Sequence, residues 1–220
     1  MSKVLQSELT HLRELILCMG QKVEGLVKTA MLALETKNRN LAQEIFSSEE
    51  QIDRDEIKIE EECLKILALH QPVANDLRFI IAALKMNNDL ERIADIATSV
   101  SRRTIRLVEI GYEAVPNEVN IISQNVKSML RKSLLALLEL DTSIARSIIA
   151  TEGTVNKLNR ETYHRFVSAL PEDLVEHERN FLFLSIGKRL ARISDLTTNL
   201  AEDVVYIVEG EIIRHSKGKL

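Results

Sequence analysis

Two segments of this chain, one hundred positions apart, follow nearly the same pattern. Residues 90–95 read LERIAD, and residues 190–195 read LARISD. Each segment lies within a long helical pattern and begins the last third of its half of the chain. A repeat of this length indicates that one structural unit has been duplicated. We therefore expect the 220 residues to fold as two copies of one module.

The composition restricts the core and the partners that this chain is expected to have. Hydrophobic residues make up 45% of the chain but aromatic residues only 4%, which is typical of a core of Leu, Ile, Val and Ala in long helices. The net charge of −4 argues against general affinity for DNA or RNA, because such affinity needs clustered Lys and Arg. No apolar run reaches the roughly 18 residues of a spanning helix, and no signal-peptide pattern is present. We expect a soluble, cytoplasmic protein with Cys18 and Cys63 as buried, reduced thiols.

Turn signals divide the chain into six helical stretches. All three prolines fall between helical patterns, where a residue without an amide hydrogen does least harm. No stretch alternates strictly between apolar and polar residues, so no strand is predicted. The predicted helices span residues 4–36, 40–69, 73–110, 117–140, 142–169 and 172–209, with Gly210 as the last C-terminal stop.

Apolar residues in these stretches recur in alternating steps of three and four. In the third stretch the series is Ala83, Met86, Leu90, Ile93, Ala97 and Val100. Such spacing forms a continuous apolar seam on a helix that packs nearly parallel or antiparallel to its neighbours. Short connections then require antiparallel neighbours. The sequence predicts an all-α fold of two tandem, pseudo-symmetric three-helix bundles, residues 1–113 and 114–220.

Acidic residues form a stripe on each of two helices in the first half. Glu49, Asp53, Glu56 and Glu60 share one face of the second helix, and Glu91 and Asp95 lie one turn apart on the third. If these helices pack together, up to six carboxylates converge along one groove. Carboxylates without basic partners raise one another's pKa unless cations hold them, and oxygen-rich sites suit Mg, Mn, Fe or, less often, Zn.

An ordinary solvated helix face is the alternative interpretation of these stripes. Glu recurs at spacings of three and four on many exposed helices, and Arg54, Lys58 and Arg92 lie close enough to pair with it. Neither stripe contains His, so the Glu-x-x-His pattern of di-iron bundles is missing. The stripes alone leave the two interpretations open.

Longer motifs resemble a known family over essentially the whole chain. Residues 72–78 (PVANDLR) and 89–95 (DLERIAD) resemble the first-repeat signature of the PhoU family of phosphate-uptake regulators. Residues 188–195 (KRLARISD), 198–203 (TNLAED) and 208–211 (VEGE) are similar to its second signature and its C-terminal ending. The resemblance implies two three-helix bundles, usually as a homodimer.

The resemblance also implies where a metal would bind. In some family members an acidic residue, three residues and an Asp in the last helix of each bundle are associated with multinuclear iron or with other metals such as Zn, Mn or Mg. Glu91 and Asp95 match this motif in the first half, and we include Glu49 and Asp53 among the expected ligands. In the second half Asp195 matches, but Ala191 replaces the acid. Asn156 stands where the first half has Asp53, and Arg189 where it has Asp89. We therefore expect one competent site in the first bundle and a degraded one in the second.

The function implied by the resemblance is regulation without covalent chemistry. We expect a non-enzymatic adaptor that negatively regulates phosphate-responsive genes. It would link the ATPase subunit of a phosphate ABC transporter to a membrane sensor histidine kinase, and reach the membrane only through these partners. The alternatives are a metal-binding protein, a metal-dependent phosphate-handling enzyme that uses the acidic groove, and a purely structural helical protein.

Overall fold

The computed structural model describes residues 3–168 and 173–213, and every regular element in these ranges is an α-helix. The six helices are α1 (Lys3–Thr36), α2 (Arg39–His70), α3 (Ala74–Ile110), α4 (Asn117–Glu139), α5 (Thr142–Ser168) and α6 (Leu174–Glu209). The predicted all-α class is confirmed, and the described helix ends agree with the predicted ends to within one residue. The predicted ends at residues 169 and 172 lie outside the described residues.

The helices form two bundles of three. Helices α1, α2 and α3 pack against one another, and so do α4, α5 and α6. The bundles meet where α3 packs against α6 and where α1 packs against α4. This arrangement confirms the two predicted three-helix bundles. The predicted division at residues 113 and 114 falls in the loop between α3 and α4, and as a domain boundary it stays a prediction.

The apolar seams form the core, as their spacing predicts. In α3 the whole predicted series from Ala83 to Val100 is buried. Helix α3 is about 55 Å long at 1.5 Å per residue, so its seam runs the length of the first bundle. Small side chains at Ala94 and Thr98 continue the buried surface beside the seam. The core is therefore elongated, and the helices are held along their full lengths.

Side chains at the helix ends explain where the turns fall. The Asn38 carboxamide oxygen accepts hydrogen bonds from the amides of Asn40 and Leu41 at 3.0 and 3.1 Å, which caps the start of α2. Asp141 accepts from the amides of Ser143 and Ile144 at 2.7 and 3.2 Å and caps α5 in the same way. Gly210 ends α6 with φ of 75°, a left-handed conformation that glycine adopts without a steric penalty.

Two close contacts join α1 to the second bundle. The Arg13 guanidinium donates to the carbonyl oxygens of Leu137 and Leu138, so it satisfies acceptors that the end of α4 leaves without a helical partner. Gly20 lies so near Leu134 that a Cβ atom at this position would overlap the leucine methyl groups. A side chain at position 20 would therefore require Leu134 to move.

The prediction that both cysteines are buried is confirmed for Cys63 and wrong for Cys18. Cys63 is buried, and burial together with Glu62 and Glu60 raises its pKa to about 12. Cys18 is exposed on α1, because it lies between the buried seam positions Ile16 and Met19 and points to the opposite side. Both thiols are free.

We expect the Asn38→Ala substitution to reduce the free energy of unfolding by about 1 kcal/mol, because two amides at the start of α2 lose their acceptor. Urea denaturation followed by circular dichroism measures the change. The matched control is Asn40→Ala, which removes an exposed side chain two positions further on and is expected to change stability by less than about 0.5 kcal/mol. Equal effects of the two substitutions would show that the cap does not stabilise α2.

Candidate functional site

The structure brings the acidic stripes of α2 and α3 together in one row. We call this row the acidic groove; it consists of Glu49, Asp53, Glu56 and Glu60 of α2 with Glu91 and Asp95 of α3. Glu49 interacts with Asp95 at one end, and Glu91 interacts with Asp53 and Glu56 further along. Four of the five predicted metal ligands, Glu49, Asp53, Glu91 and Asp95, therefore lie in the same groove.

Packing between the two helices holds the groove in place. Ile52 and Ile59 of α2 are buried in the first bundle together with Leu90 and Ile93 of α3. The side-chain amide nitrogen of Asn87 on α3 donates a hydrogen bond to the Glu56 carbonyl oxygen of α2 at 2.9 Å, which ties the two helices directly. The carboxylates flank this seam, so the same packing that forms the core brings like charges side by side.

Burial and mutual repulsion weaken the acidity of three groove residues. The pKa of Glu49 is raised first by burial and then by Asp95. Burial also raises the pKa of Glu91, with Asp95, Glu56 and Asp53 adding to the effect, and the pKa of Glu56, with Glu60 and Asp53 adding to it. Loss of solvation and nearby negative charge both disfavour the ionised form. The groove thus holds its protons more tightly than isolated carboxyl groups would.

The groove has ligands of the right kind for a hard cation, but the side chains do not converge on one point. Carboxylate oxygens are preferred by Mg²⁺, Mn²⁺ and iron, and a bound cation would relieve the repulsion along the groove. Within residues 3–168 and 173–213, no three His, Cys, Asp or Glu side chains form a group that could hold a metal ion as they stand. The donors fit a cation in chemistry, and rotamer changes would be needed to gather them around it.

The corresponding position in the second bundle has a different character. The Asn156 amide nitrogen lies 3.3 Å from Glu152 Oε1 and 3.5 Å from Asp195 Oδ1. Asp195 also lies 3.6 Å from an Arg192 guanidinium nitrogen. Ala191 is buried and offers no ligand atom. A carboxamide and a cation thus accompany the carboxylates of Asp195 and Glu152 in the second bundle.

A cluster of arginines that sequence reasoning missed lies beside the acidic groove. Arg103 of α3 and Arg189 of α6 share the hydroxyl groups of Ser99 and Ser185 across the contact between the bundles. An adjoining cavity of about 620 Å³ is lined by both helices and by α2. We call it the basic cleft; its charged lining residues are Arg102, Lys188, Arg189 and Arg192, with Glu49 and Asp95 at the edge of the acidic groove. The one signal in the sequence was Arg189 standing where the first half has Asp89.

Comparison with known proteins identifies the family to which this fold belongs. The family model described as the PhoU domain matches residues 16–104 and again residues 119–204. The chain belongs to the PhoU family. Each match falls in one three-helix bundle, so the repeat seen in the sequence corresponds to two copies of the family domain.

Full-length relatives and solved structures of the PhoU family are similar over nearly the whole chain. A phosphate-specific transport system accessory protein PhoU homolog from Pseudomonas putida is 36% identical over 215 residues, covering 97% of this chain and 84% of the relative. The crystal structure of PhoU from Pseudomonas aeruginosa is 36% identical and superposes with a TM-score of 0.89, covering 94% of this chain and 99% of that one. The crystal structure of the phosphate transport system regulatory protein PhoU from Streptococcus pneumoniae is 27% identical, with a TM-score of 0.86, covering 94% and 98%.

These comparisons support a role in phosphate transport as an accessory and regulatory protein. The relatives are named as accessory or regulatory proteins, which agrees with the prediction that this PhoU chain is not an enzyme. Among the described residues, no helix is long and apolar enough to cross a membrane.

We expect Asp95→Asn to stabilise the fold at neutral pH and to lose this effect in acid. Because Glu49, Glu56 and Glu91 have raised pKa values in the folded state, the folded chain binds protons more tightly than the unfolded chain. Its stability therefore falls as pH rises from the ordinary Glu value of 4.5 through the raised values. Removing the Asp95 charge relieves repulsion above that range, by less than about 1 kcal/mol for such partly exposed groups.

Urea denaturation of metal-free protein at pH 4 and pH 7 measures this difference. Carbon-detected NMR titration should also show a lower pKa for Glu49 in the Asp95→Asn variant. Glu50→Gln is the matched control, because Glu50 is an exposed carboxylate on α2 outside the groove. A stabilisation that stays the same at both pH values would contradict charge repulsion as the cause.

Proposed function

We propose that this chain is an adaptor that negatively regulates phosphate-responsive genes in the cytoplasm. It binds the ATPase subunit of a phosphate ABC transporter and a membrane sensor histidine kinase, and holds the kinase in its non-signalling state when phosphate is plentiful. The observation that carries this proposal is membership of the PhoU family over both bundles, with relatives named as accessory proteins of phosphate transport. The protein reaches the membrane through these partners and acts as a homodimer.

The architecture suits a role based on binding. Helix α3 has 37 residues and α6 has 36, and both are held along a continuous core, so the bundles present long, rigid faces. A regulator of this kind needs to bind one state of the kinase better than the other. A difference of about 1–3 kcal/mol between the two states is enough to shift the kinase population substantially.

We expect deletion of the gene to leave phosphate-responsive promoters active in phosphate-rich medium, and the wild-type gene to restore repression. A reporter under such a promoter, measured in rich and in starved cultures, gives the result. A tagged chain should also co-purify the transporter ATPase subunit and the kinase from detergent-treated membranes.

Phosphate-responsive expression that is unchanged by the deletion would rule out the regulatory role. Co-purification of neither partner, with regulation intact, would instead contradict the adaptor mechanism. The Arg131→Gln variant is a matched control in both experiments, because Arg131 is an exposed residue of α4 outside the groove and the cleft.

The acidic groove favours a second property, metal binding, which is compatible with the adaptor role. We propose that Glu49, Asp53, Glu91 and Asp95 hold a divalent cation or a multinuclear iron centre. The supporting observation is the closeness of these carboxylates: burial and then their mutual repulsion raise the pKa of Glu49 and Glu91, and a cation would relieve the repulsion. The relatives are named as accessory and regulatory proteins, which favours metal binding without catalysis over a metal-dependent enzyme.

We expect purified wild-type protein to carry Fe, Mn, Zn or Mg, and the double variant Glu91→Gln/Asp95→Asn to lose most of it, because two adjacent ligands are removed. Elemental analysis by inductively coupled plasma mass spectrometry measures the content per chain. Asp195→Asn is the matched control, since Asp195 lies with Asn156 and Arg192 in the other bundle. Equal metal content in the double variant and the wild type would remove the groove as the binding site.

A further inference from the structure

Two arginines meet at the contact between α3 and α6 without a carboxylate partner among the described residues. Arg103 Nε donates to Ser185 Oγ at 2.8 Å, and Arg189 Nε donates to Ser99 Oγ at 2.8 Å. Each Nη1 atom donates to the serine hydroxyl of its own helix, at 2.8 Å for Arg103 and 2.7 Å for Arg189. Each arginine thus bonds both serines, which closes a square that we call the arginine–serine square.

The square places two positive charges side by side where solvent is partly excluded. Both arginines are half-buried, and burial lowers the pKa of each; for Arg103, the neighbouring Arg189 and Arg102 lower it further. Serine oxygens and backbone carbonyls satisfy hydrogen bonds but carry no opposite charge. Partly buried like charges are unfavourable unless an opposite charge joins them. The fold therefore maintains uncompensated positive charge at this position.

The square opens onto the basic cleft. Arg189 and Ser99 belong to both, and Arg102, Lys188 and Arg192 add three further cationic side chains around the cavity. Within the described part of the chain, Arg189 donates hydrogen bonds through Nε and Nη1, so its Nη2 atom is left as donor capacity at the cleft. Guanidinium groups match oxyanions geometrically and form strong charge-assisted hydrogen bonds with them.

We propose that the basic cleft is a binding site for inorganic phosphate. The cationic lining supplies the attraction, and the hydroxyl groups of Ser99 and Ser185 keep Arg189 oriented before the anion arrives. The cavity of about 620 Å³ holds the anion together with water. The site joins both bundles, because Arg102 and Ser99 belong to α3 and Lys188, Arg189 and Arg192 belong to α6.

The carboxylates at the edge of the cleft select for phosphate over sulfate. Glu49 and Asp95 line the same cavity as the arginines. Inorganic phosphate keeps at least one proton in the neutral range and can donate it to a carboxylate, whereas sulfate has no proton to donate. An ionised carboxylate accepts a hydrogen bond from protonated phosphate, but it repels an oxyanion such as sulfate that has no hydrogen to donate. A site with cationic donors and carboxylate acceptors thus favours the protonated oxyanion.

Isothermal titration calorimetry on the purified full-length protein tests this proposal, with a chelator present so that no metal ion in the acidic groove can bridge to the anion. We expect saturable binding of inorganic phosphate and no comparable binding of sulfate. Arg189→Gln should weaken phosphate binding at least about tenfold, the order expected for a lost hydrogen bond to a charged group. The matched control Arg131→Gln, which also removes one positive charge, should bind phosphate as the wild type does.

A second variant separates binding from folding. Lys188 is exposed and lies outside the arginine–serine square, so Lys188→Gln leaves the contact between the helices intact. This variant should also bind phosphate more weakly, with an unchanged circular dichroism spectrum. Wild-type affinity in both the Arg189 and Lys188 variants would overturn the site.

The other probes discriminate between kinds of anion. Binding of adenosine triphosphate without binding of inorganic phosphate would overturn the proposal, because the cleft would then be a nucleotide site. Equal binding of phosphate and sulfate would overturn the carboxylate-based selection, as would unchanged selection in the Glu49→Gln variant. Since these measurements use the isolated protein, failure of phosphate binding leaves the adaptor role untouched, and failure of the adaptor role leaves phosphate binding untouched.

Discussion

The antiparallel packing of α3 against α6 is the contact on which the rest of the molecule depends. Its direction follows from the contacts along it: Lys85 approaches Asp203, Ser99 bonds Arg189, and Arg103 bonds Ser185. These two helices are buried on more than one side, whereas α2 and α5 bury a single stripe against their own bundle. The central pair therefore fixes how the bundles sit, and it also places the acidic groove beside the basic cleft.

The features that could be predicted from the sequence are those set by local periodicity. The steps of three and four that predict the helices also state which residues share a face, so the grouping of Glu49 with Asp53, and of Glu91 with Asp95, required no tertiary information. Local periodicity does not show which faces of different helices pack together. Residue 99 meets residue 189 only because α3 and α6 cross at one particular register, and no local pattern encodes that register. Cys18 shows the same limit, since apolar neighbours in the sequence did not reveal that it faces outwards.

The two copies of the domain differ at this crossing. With an offset of one hundred positions, Arg103 corresponds to Asp203 and Ser185 corresponds to Lys85. One end of the contact is thus an ion pair, with Lys85 Nζ 3.8 Å from Asp203 Oδ1, and the equivalent end is an arginine with a serine. If both ends of the contact between α3 and α6 were ion pairs, the same packing would bring less repulsion between like charges. The uncompensated arginines are therefore a cost to stability that packing does not explain, and such costs are concentrated at functional sites.

The basic cleft lies across the contact between the two bundles. Its lining comes from α2 and α3 of the first bundle and α6 of the second, so an anion bound there touches both halves of the molecule at once. A ligand shifts an equilibrium between two arrangements only as far as it binds one of them better. A ligand that contacts only one bundle has little effect on how the two bundles pack against each other. A ligand bound across their contact would instead gain or lose hydrogen bonds with every change in the register of α3 against α6.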